Sequence, residues 1–140
     1  MLRSAIAPLL EREDELSRLV ERIAAAREGR GTMVLVEGPP GIGKTRLLDA
    51  ARERARAEDM LVLSARASEL DREFPFGVVR QLFEPLVAEA PRDSPMLRGA
   101  AGRAASLLGA GAPEGAAAPL AHFHALYWLT ANLAEQGPVA

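Results

Sequence analysis

The sequence predicts an α/β fold, a three-layer αβα arrangement in which helices cover both faces of a parallel β-sheet. Residues 32–36 and 60–65 are short apolar runs of β-favouring residues, the pattern of strands buried on both faces. Between them, apolar residues recur at helical spacing as far as about Ala57. A glycine-rich turn joins the first run to this helix, which completes a strand–loop–helix–strand unit.

Composition allows one domain and excludes several classes of protein. The chain has 140 residues, of which 49% are hydrophobic, enough for one core. Its 17 basic and 19 acidic residues are interleaved, so no basic surface for nucleic acid is expected. It has no cysteine, no recognisable signal peptide and no apolar run of the roughly 20 residues that cross a bilayer. We therefore expect a cytoplasmic protein that does not contact a membrane.

Helices are predicted on both sides of this unit. Residues 13–28 form an amphipathic helix that ends near the glycines at 29 and 31. Beyond a polar loop at 66–76, residues 78–87 form a helical stripe that Pro85 is expected to kink or split. Further helices are predicted over 96–108 and 120–135, with a flexible connection over 109–119. Val139 and Ala140 look like the start of a third strand.

The glycine-rich turn carries a phosphate-binding pattern: glycine, four residues, glycine, lysine, then serine or threonine. This pattern is typical of P-loop NTPases, and it lies here between a predicted strand and a predicted helix. Glycines can take positive φ, which lets backbone N–H groups curl around a diphosphate, and the following helix start favours anions. The expected nucleotide-binding residues are Gly38, Pro39, Pro40, Gly41, Ile42, Gly43, Lys44, Thr45 and Arg46.

Two side chains of this loop have specific expected roles, and ATP with Mg²⁺ is the expected cofactor. Lys44 is expected to bridge the β- and γ-phosphates as a mobile point charge. The hydroxyl of Thr45 is expected to be a ligand to a magnesium ion between those phosphates. In the alternative interpretation the glycines only make a tight turn and Lys44 is a solvated surface residue.

The acid that ATP hydrolysis requires is not evident. Hydrolysis normally needs an aspartate at the end of another hydrophobic strand. No hydrophobic strand that ends in an aspartate follows Thr45. Glu69 and Asp71 lie in a predicted loop and are expected to be solvated. We therefore predict no catalytic residue and slow or absent turnover. The chain is interpreted as the N-terminal portion of one P-loop domain, residues 1–140, truncated before that acidic strand.

Three segments together resemble the large ATP-binding LuxR-type (MalT-like) transcriptional regulators, whose N-terminal domain is of the AAA/STAND type. They are the loop at 38–45, residues 9–16 and residues 74–83. The resemblance implies that Leu10, Arg12 and Glu15 belong to a motif that precedes the first helix in STAND ATPases and lines the adenine pocket. Glu11 stands where that motif usually has glycine. It also implies homo-oligomers in the full-length regulator, and DNA binding by a helix-turn-helix module outside this chain.

Other functions remain open from the sequence. One is a small P-loop ATP-dependent phosphotransferase or another AAA-type ATPase, although no acceptor-positioning aspartate or arginine cluster is evident. Another is an interacting fragment without activity of its own. His122 and His124 point in different directions on a predicted helix, which favours surface or packing roles over a metal site. Tyr127 and Trp128 are predicted to pack in the core or between subunits.

Overall fold

The structure is a computed structural model that describes residues 12–69, 76–108 and 119–140. The chain divides into two compact units, Met1–Val62 with Ala140 and Leu63–Val139. The first unit contains helices α1 (Glu13–Arg27) and α2 (Lys44–Ala57). The second contains α3 (Gly77–Glu89), two 3₁₀ turns (Pro95–Leu97 and Gly99–Ala101), α4 (Gly102–Leu108) and α5 (Pro119–Gln136).

The predicted three-layer αβα fold with its parallel sheet is wrong for this structure. Within residues 12–69, 76–108 and 119–140, no segment forms a strand of a β-ladder. Residues 32–36 make no backbone hydrogen bond to any described residue, and Met33 and Leu35 are 95% and 76% exposed. The physical reason is that a strand is stable only when a neighbouring backbone pairs with it, and β-favouring apolar side chains do not by themselves provide that neighbour. The described chain is therefore built from helices.

The other two predicted strands reduce to a single hydrogen bond. The N–H of Ala140 donates to the carbonyl oxygen of Leu61 at 2.8 Å. Apart from the bridge at Leu61, residues 60–65 have no regular structure. One hydrogen bond does not make a ladder, because pairing becomes stable only when successive residues add bonds and side-chain contacts.

In the first unit, α1 packs against α2, and both predicted helices are confirmed. Leu47 and Ala55 of α2 are buried, as is Met60 just after the helix. Glu58 forms ion pairs with two arginines, Arg27 of α1 and Arg54 of α2. These ion pairs link the ends of the two helices.

In the second unit, the core lies between α5 and the segments before it. Its buried apolar side chains are Phe83, Met96, Ala101, Ala104, Leu108, Ala125, Leu129 and Leu133. The side-chain amide of Asn132 donates to the carbonyl oxygens of Met96 at 3.1 Å and Arg98 at 3.2 Å. These bonds connect α5 to the 3₁₀ turns.

Two predictions for this unit need correction. The helix expected over 96–108 starts only at Gly102, because Gly99 has a φ of 63° and interrupts the helical backbone. Pro85, expected to kink or split the helix, does not split it, since α3 continues through it to Glu89; a kink there stays a prediction. The predicted helix over 120–135 is confirmed as α5, and residues 109–118 of the expected flexible connection lie outside the described residues.

A side chain fixes the backbone at the start of the second unit. The N–H of Arg66 donates to Oε1 of Gln81 at 3.0 Å, and Nε2 of Gln81 donates to the carbonyl oxygen of Arg66 at 3.2 Å. The two bonds form a reciprocal pair between the backbone of one residue and a side chain of α3.

The aromatic residues of α5 lie on its outer surface. Phe123, Tyr127 and Trp128 are exposed, so they do not belong to the core of this unit. Trp128 donates from Nε1 to Nε2 of His124 at 3.0 Å. Packing of these aromatic side chains between subunits stays a prediction. Among the described residues, no helix combines the length and the apolar character that crossing a membrane requires.

Candidate functional site

The glycine loop at 38–45 runs directly into the first turn of α2. Gly41 and Gly43 have φ angles of 80° and 91°, in the left-handed region. A Cβ built on either residue meets no atom within 4 Å, so the backbone conformation requires glycine there and the available space does not. Gly43 is the N-cap of α2, and no side chain caps this helix.

Lys44 lies across its own loop. Its ammonium nitrogen Nζ donates to the carbonyl oxygen of Gly38 at 2.7 Å and to that of Pro39 at 2.9 Å. The carbonyl of Pro39 also accepts a longer bond of 3.4 Å from the N–H of Ile42. These contacts bring the start of the loop and the start of α2 together around one positive charge.

The start of α2 presents backbone donors next to that charge. The first hydrogen bond of the helix joins the N–H of Leu47 to the carbonyl of Gly43 at 3.1 Å. The N–H groups of Lys44 and Thr45 precede this bond and have no partner inside the helix. Such groups, together with the positive end of the helix dipole, favour an anion. The loop, the helix start and Lys44 therefore combine the features of a phosphate site.

Magnesium binding by Thr45 stays a prediction. Thr45 lies exposed in the first turn of α2, beside Lys44. The described part of the chain contains no group of three histidine or acidic side chains that could hold a metal ion. The acid nearest along α2, Asp49, is paired with Arg52. A magnesium ion at Thr45 would therefore take its other ligands from phosphate oxygens and water.

The remaining predicted binding residues lie in different places. Pro40 and Ile42 are exposed on the loop, and Arg46 is exposed in the first turn of α2. Arg12 immediately precedes α1 and forms an ion pair with Glu15 at 3.6 Å. Leu10 and Glu11 lie outside the described residues. The ion pair thus brings Arg12 together with Glu15, the other described residue of the implied adenine motif.

Arg12 also lines a cavity of about 630 Å³ in the first unit. The other lining residues come from α1, from residues 32–37 and from Leu47. Among them are Arg18 and Arg22 of α1. Their spacing of four residues predicts a shared face, but the sequence alone does not show what that face is turned toward.

Comparison with known proteins places this chain in a family. The model of the AAA ATPase domain family matches residues 8–140, so the chain belongs to the AAA ATPase domain family. An uncharacterized protein of Rhizobium meliloti (strain 1021) is 43% identical over 51 residues. That match covers 36% of this chain and 5% of the relative. No solved structure matches the chain significantly. Family membership identifies an ATPase-type domain, a class that binds nucleotides and usually Mg²⁺.

Proposed function

We propose that this chain binds Mg-ATP through residues 38–45 and acts as the ATP-binding regulatory domain of a LuxR-type transcriptional regulator. In this proposal the nucleotide state controls assembly or activation of the regulator. DNA is bound by a helix-turn-helix module outside residues 1–140. ATP and ADP are the small-molecule partners.

The observation that carries the proposal is the position of Lys44 over a loop with two left-handed glycines. The ammonium group already has two oxygen partners, the carbonyls of Gly38 and Pro39. A triphosphate entering the loop would replace these neutral carbonyl partners with charged phosphate oxygens, which adds attraction between opposite charges to the hydrogen bonds of the ammonium group. The exchange needs only a rotation of a flexible side chain.

The backbone supplies the rest of the binding energy. The N–H groups of Lys44 and Thr45, at the start of α2, have no partner inside the helix and no side-chain cap, so they are available to donate to a phosphate. The hydroxyl of Thr45 lies one residue beyond Lys44 and would hold a magnesium ion against the phosphates. Arg12 would contact the nucleotide outside the loop. The magnesium ion neutralises phosphate charge when it is bound.

The regulator assignment is supported by the resemblance of the segments at 9–16, 38–45 and 74–83. In the structure, the described part of the last segment forms the first turns of α3, and Phe83 within it is buried. This burial indicates that the segment contributes to folding of the second unit.

Isothermal titration calorimetry on the full chain tests nucleotide binding. Wild-type protein is titrated with Mg-ATP, beside Lys44→Ala and a matched control, Arg56→Ala, which removes an exposed cation from the same helix. We expect Lys44→Ala to weaken binding about tenfold or more, since a charge-assisted contact contributes about 1.5–3 kcal/mol. Arg56→Ala should bind as the wild type does. Circular dichroism establishes that each variant is folded.

Two results would reject the proposal. The first is no heat of association from folded wild-type protein, and the second is equal affinity in the wild type and Lys44→Ala. Release of inorganic phosphate provides a separate readout. We expect little more release from the wild type than from Lys44→Ala, and clear turnover would show that an acidic residue acts in hydrolysis after all.

A further inference from the structure

Lys44 carries the only side-chain amine in this sequence. The chain has 17 basic residues, and all of them except Lys44 are arginines. A guanidinium group stays protonated in proteins and does not react with ordinary acyl donors, whereas the amine of lysine is a target of acylation. An acyl donor that reacts with lysine therefore has one side-chain target in the chain, and this target lies in the proposed nucleotide site.

The surroundings of the Lys44 amine leave it open to a reagent. The residue is half-buried, and Nζ has the carbonyl oxygens of Gly38 and Pro39 as partners. Among the described residues, no carboxylate forms an ion pair with Lys44. An ammonium group has three N–H donors, so the two carbonyls leave one donor for a phosphate. The amine is thus held in place without being shielded by an opposite charge.

Acylation of Lys44 would change both of its contacts at once. The product is a neutral amide, so the charge that attracts phosphate is lost. An amide nitrogen of this kind has a single N–H, so it can keep at most one of the two bonds to Gly38 and Pro39. The loop then loses part of the contact that joins its start to the start of α2. Both changes weaken binding of a nucleotide.

We propose that Lys44 is a site of acylation by a small acyl phosphate, and that this modification closes the nucleotide site. The inference rests on the proposed function, because the phosphate group of the donor takes the place of a nucleotide phosphate at residues 38–45. The carbonyl carbon of the donor is joined to that phosphate through one oxygen, so it lies within reach of the lysine that binds the phosphate. Holding two reactants together raises their rate of reaction above that of a free amine.

The reaction forms one bond and breaks one. Nζ of Lys44 releases a proton to solvent, and its lone pair attacks the carbonyl carbon of the donor. The bond between this carbon and the phosphate oxygen breaks, and its electron pair leaves with the phosphate. A second proton passes from the nitrogen to the departing phosphate. The products are an amide on Lys44 and inorganic phosphate, and no oxidant or reductant takes part.

Mass spectrometry of the full chain treated with acetyl phosphate tests the site. Arg56→Lys supplies an internal control, since it places a second, exposed amine in the last turn of α2, roughly 18 Å along the helix from Lys44. We expect acetylation of Lys44 to be about tenfold faster than that of the introduced amine and to saturate with acetyl phosphate. Mg-ATP should slow the reaction at Lys44 alone. An acetyl thioester, which has no phosphate, should show no preference for Lys44.

Calorimetry of the acetylated protein tests the effect on nucleotide binding. We expect acetylated wild type to bind Mg-ATP about tenfold or more weakly than untreated protein, the loss expected for Lys44→Ala. Lys44→Arg cannot be acetylated at this position, so treatment should leave its affinity for Mg-ATP unchanged. Circular dichroism establishes that the treated proteins remain folded.

Three outcomes would overturn this inference. They are equal rates of acetylation at the two amines, the same preference for Lys44 with the thioester, and undiminished Mg-ATP binding by the acetylated protein. In each case untreated protein still gives its heat of association with Mg-ATP. Failure of the proposed function is distinguished by the loss of that heat in untreated, folded protein, and the inference falls with it.

Discussion

Nζ of Lys44 lies 2.7 Å from the carbonyl oxygen of Gly38, so the residue expected to bind phosphate also closes the loop that contains it. The contact spans six residues and holds the loop in shape before a nucleotide arrives. A loop that is already ordered loses less conformational entropy on binding, which favours affinity. Lys44 therefore has two expected roles at the site: its charge attracts phosphate, and its hydrogen bonds keep the loop ordered.

The conformation of Gly43 predicts that residues other than glycine are disfavoured at this position. In Gly43→Ala the added Cβ meets no neighbour, but a φ of 91° costs an L-residue about 1 kcal/mol or more. We expect weaker Mg-ATP binding in calorimetry. Gly31→Ala is the control, because Gly31 has equally open space and no positive φ in the left-handed range. Equal affinity of the two variants would contradict this prediction.

Thr45 predicts how binding depends on magnesium. If the hydroxyl of Thr45 is a metal ligand, removing Mg²⁺ with EDTA should weaken ATP binding in the wild type. The same loss is expected in Thr45→Ser, which keeps the hydroxyl. Thr45→Ala should bind Mg-ATP about tenfold more weakly and respond less to EDTA. Calorimetry with and without metal measures both effects. Identical responses of the serine and alanine variants would exclude Thr45 as a ligand.

Leu129 anchors α5 in the core of the second unit, where it is fully buried. Leu129→Ala should lower the free energy of unfolding by about 2–5 kcal/mol, because it removes buried methyl groups and leaves a cavity. Leu120, exposed on the same helix, provides the control, and its replacement by alanine should change stability by less than about 0.5 kcal/mol. Trp128, the single tryptophan, reports unfolding of α5 in urea. A similar cost for the two variants would disagree with the observed burial.

Asn132 makes two bonds that a smaller side chain cannot replace. Asn132→Ala leaves the carbonyls of Met96 and Arg98 without these donors, and we expect a loss of about 1 kcal/mol in urea unfolding, since one bond is part-buried and the other is exposed. Asn132→Asp should also destabilise the unit, since a carboxylate places acceptors against acceptors. Gln136→Ala removes only one exposed bond, from Gln136 to the carbonyl of Asn132, and should have little effect. If Asn132→Asp matched the wild type, the assigned bonds would be wrong.

The helices and the loop were predictable from sequence because their causes are local. Apolar spacing in residues 13–28 and 120–135 predicted α1 and α5 to within one or two residues of their ends. Gly41 and Gly43 predicted positive φ, because no other residue takes that conformation as readily. The position of Lys44 at the start of α2 followed from the same pattern.

The sheet could not be predicted correctly because pairing depends on residues far apart in sequence. Composition gave residues 32–36 the same signature as a buried strand, yet Met33 is almost fully exposed. Nothing within that segment reveals whether a partner backbone is present. The sequence did not predict that Arg18 and Arg22 make no ion pair with a described residue, because Glu15 and Glu21 each lie three residues from Arg18 along α1, a spacing at which an ion pair can form.

The reciprocal pair between Gln81 and Arg66 determines whether another backbone can pair with Arg66. The side-chain amide of glutamine presents a hydrogen-bond acceptor and a donor side by side, as the backbone of an adjacent strand does. Gln81 thus offers the backbone of Arg66 the donor and the acceptor that a residue of a neighbouring strand would offer. Both backbone hydrogen-bonding groups of Arg66 are therefore occupied by a side chain of α3, so another backbone cannot pair with Arg66 unless Gln81 moves away.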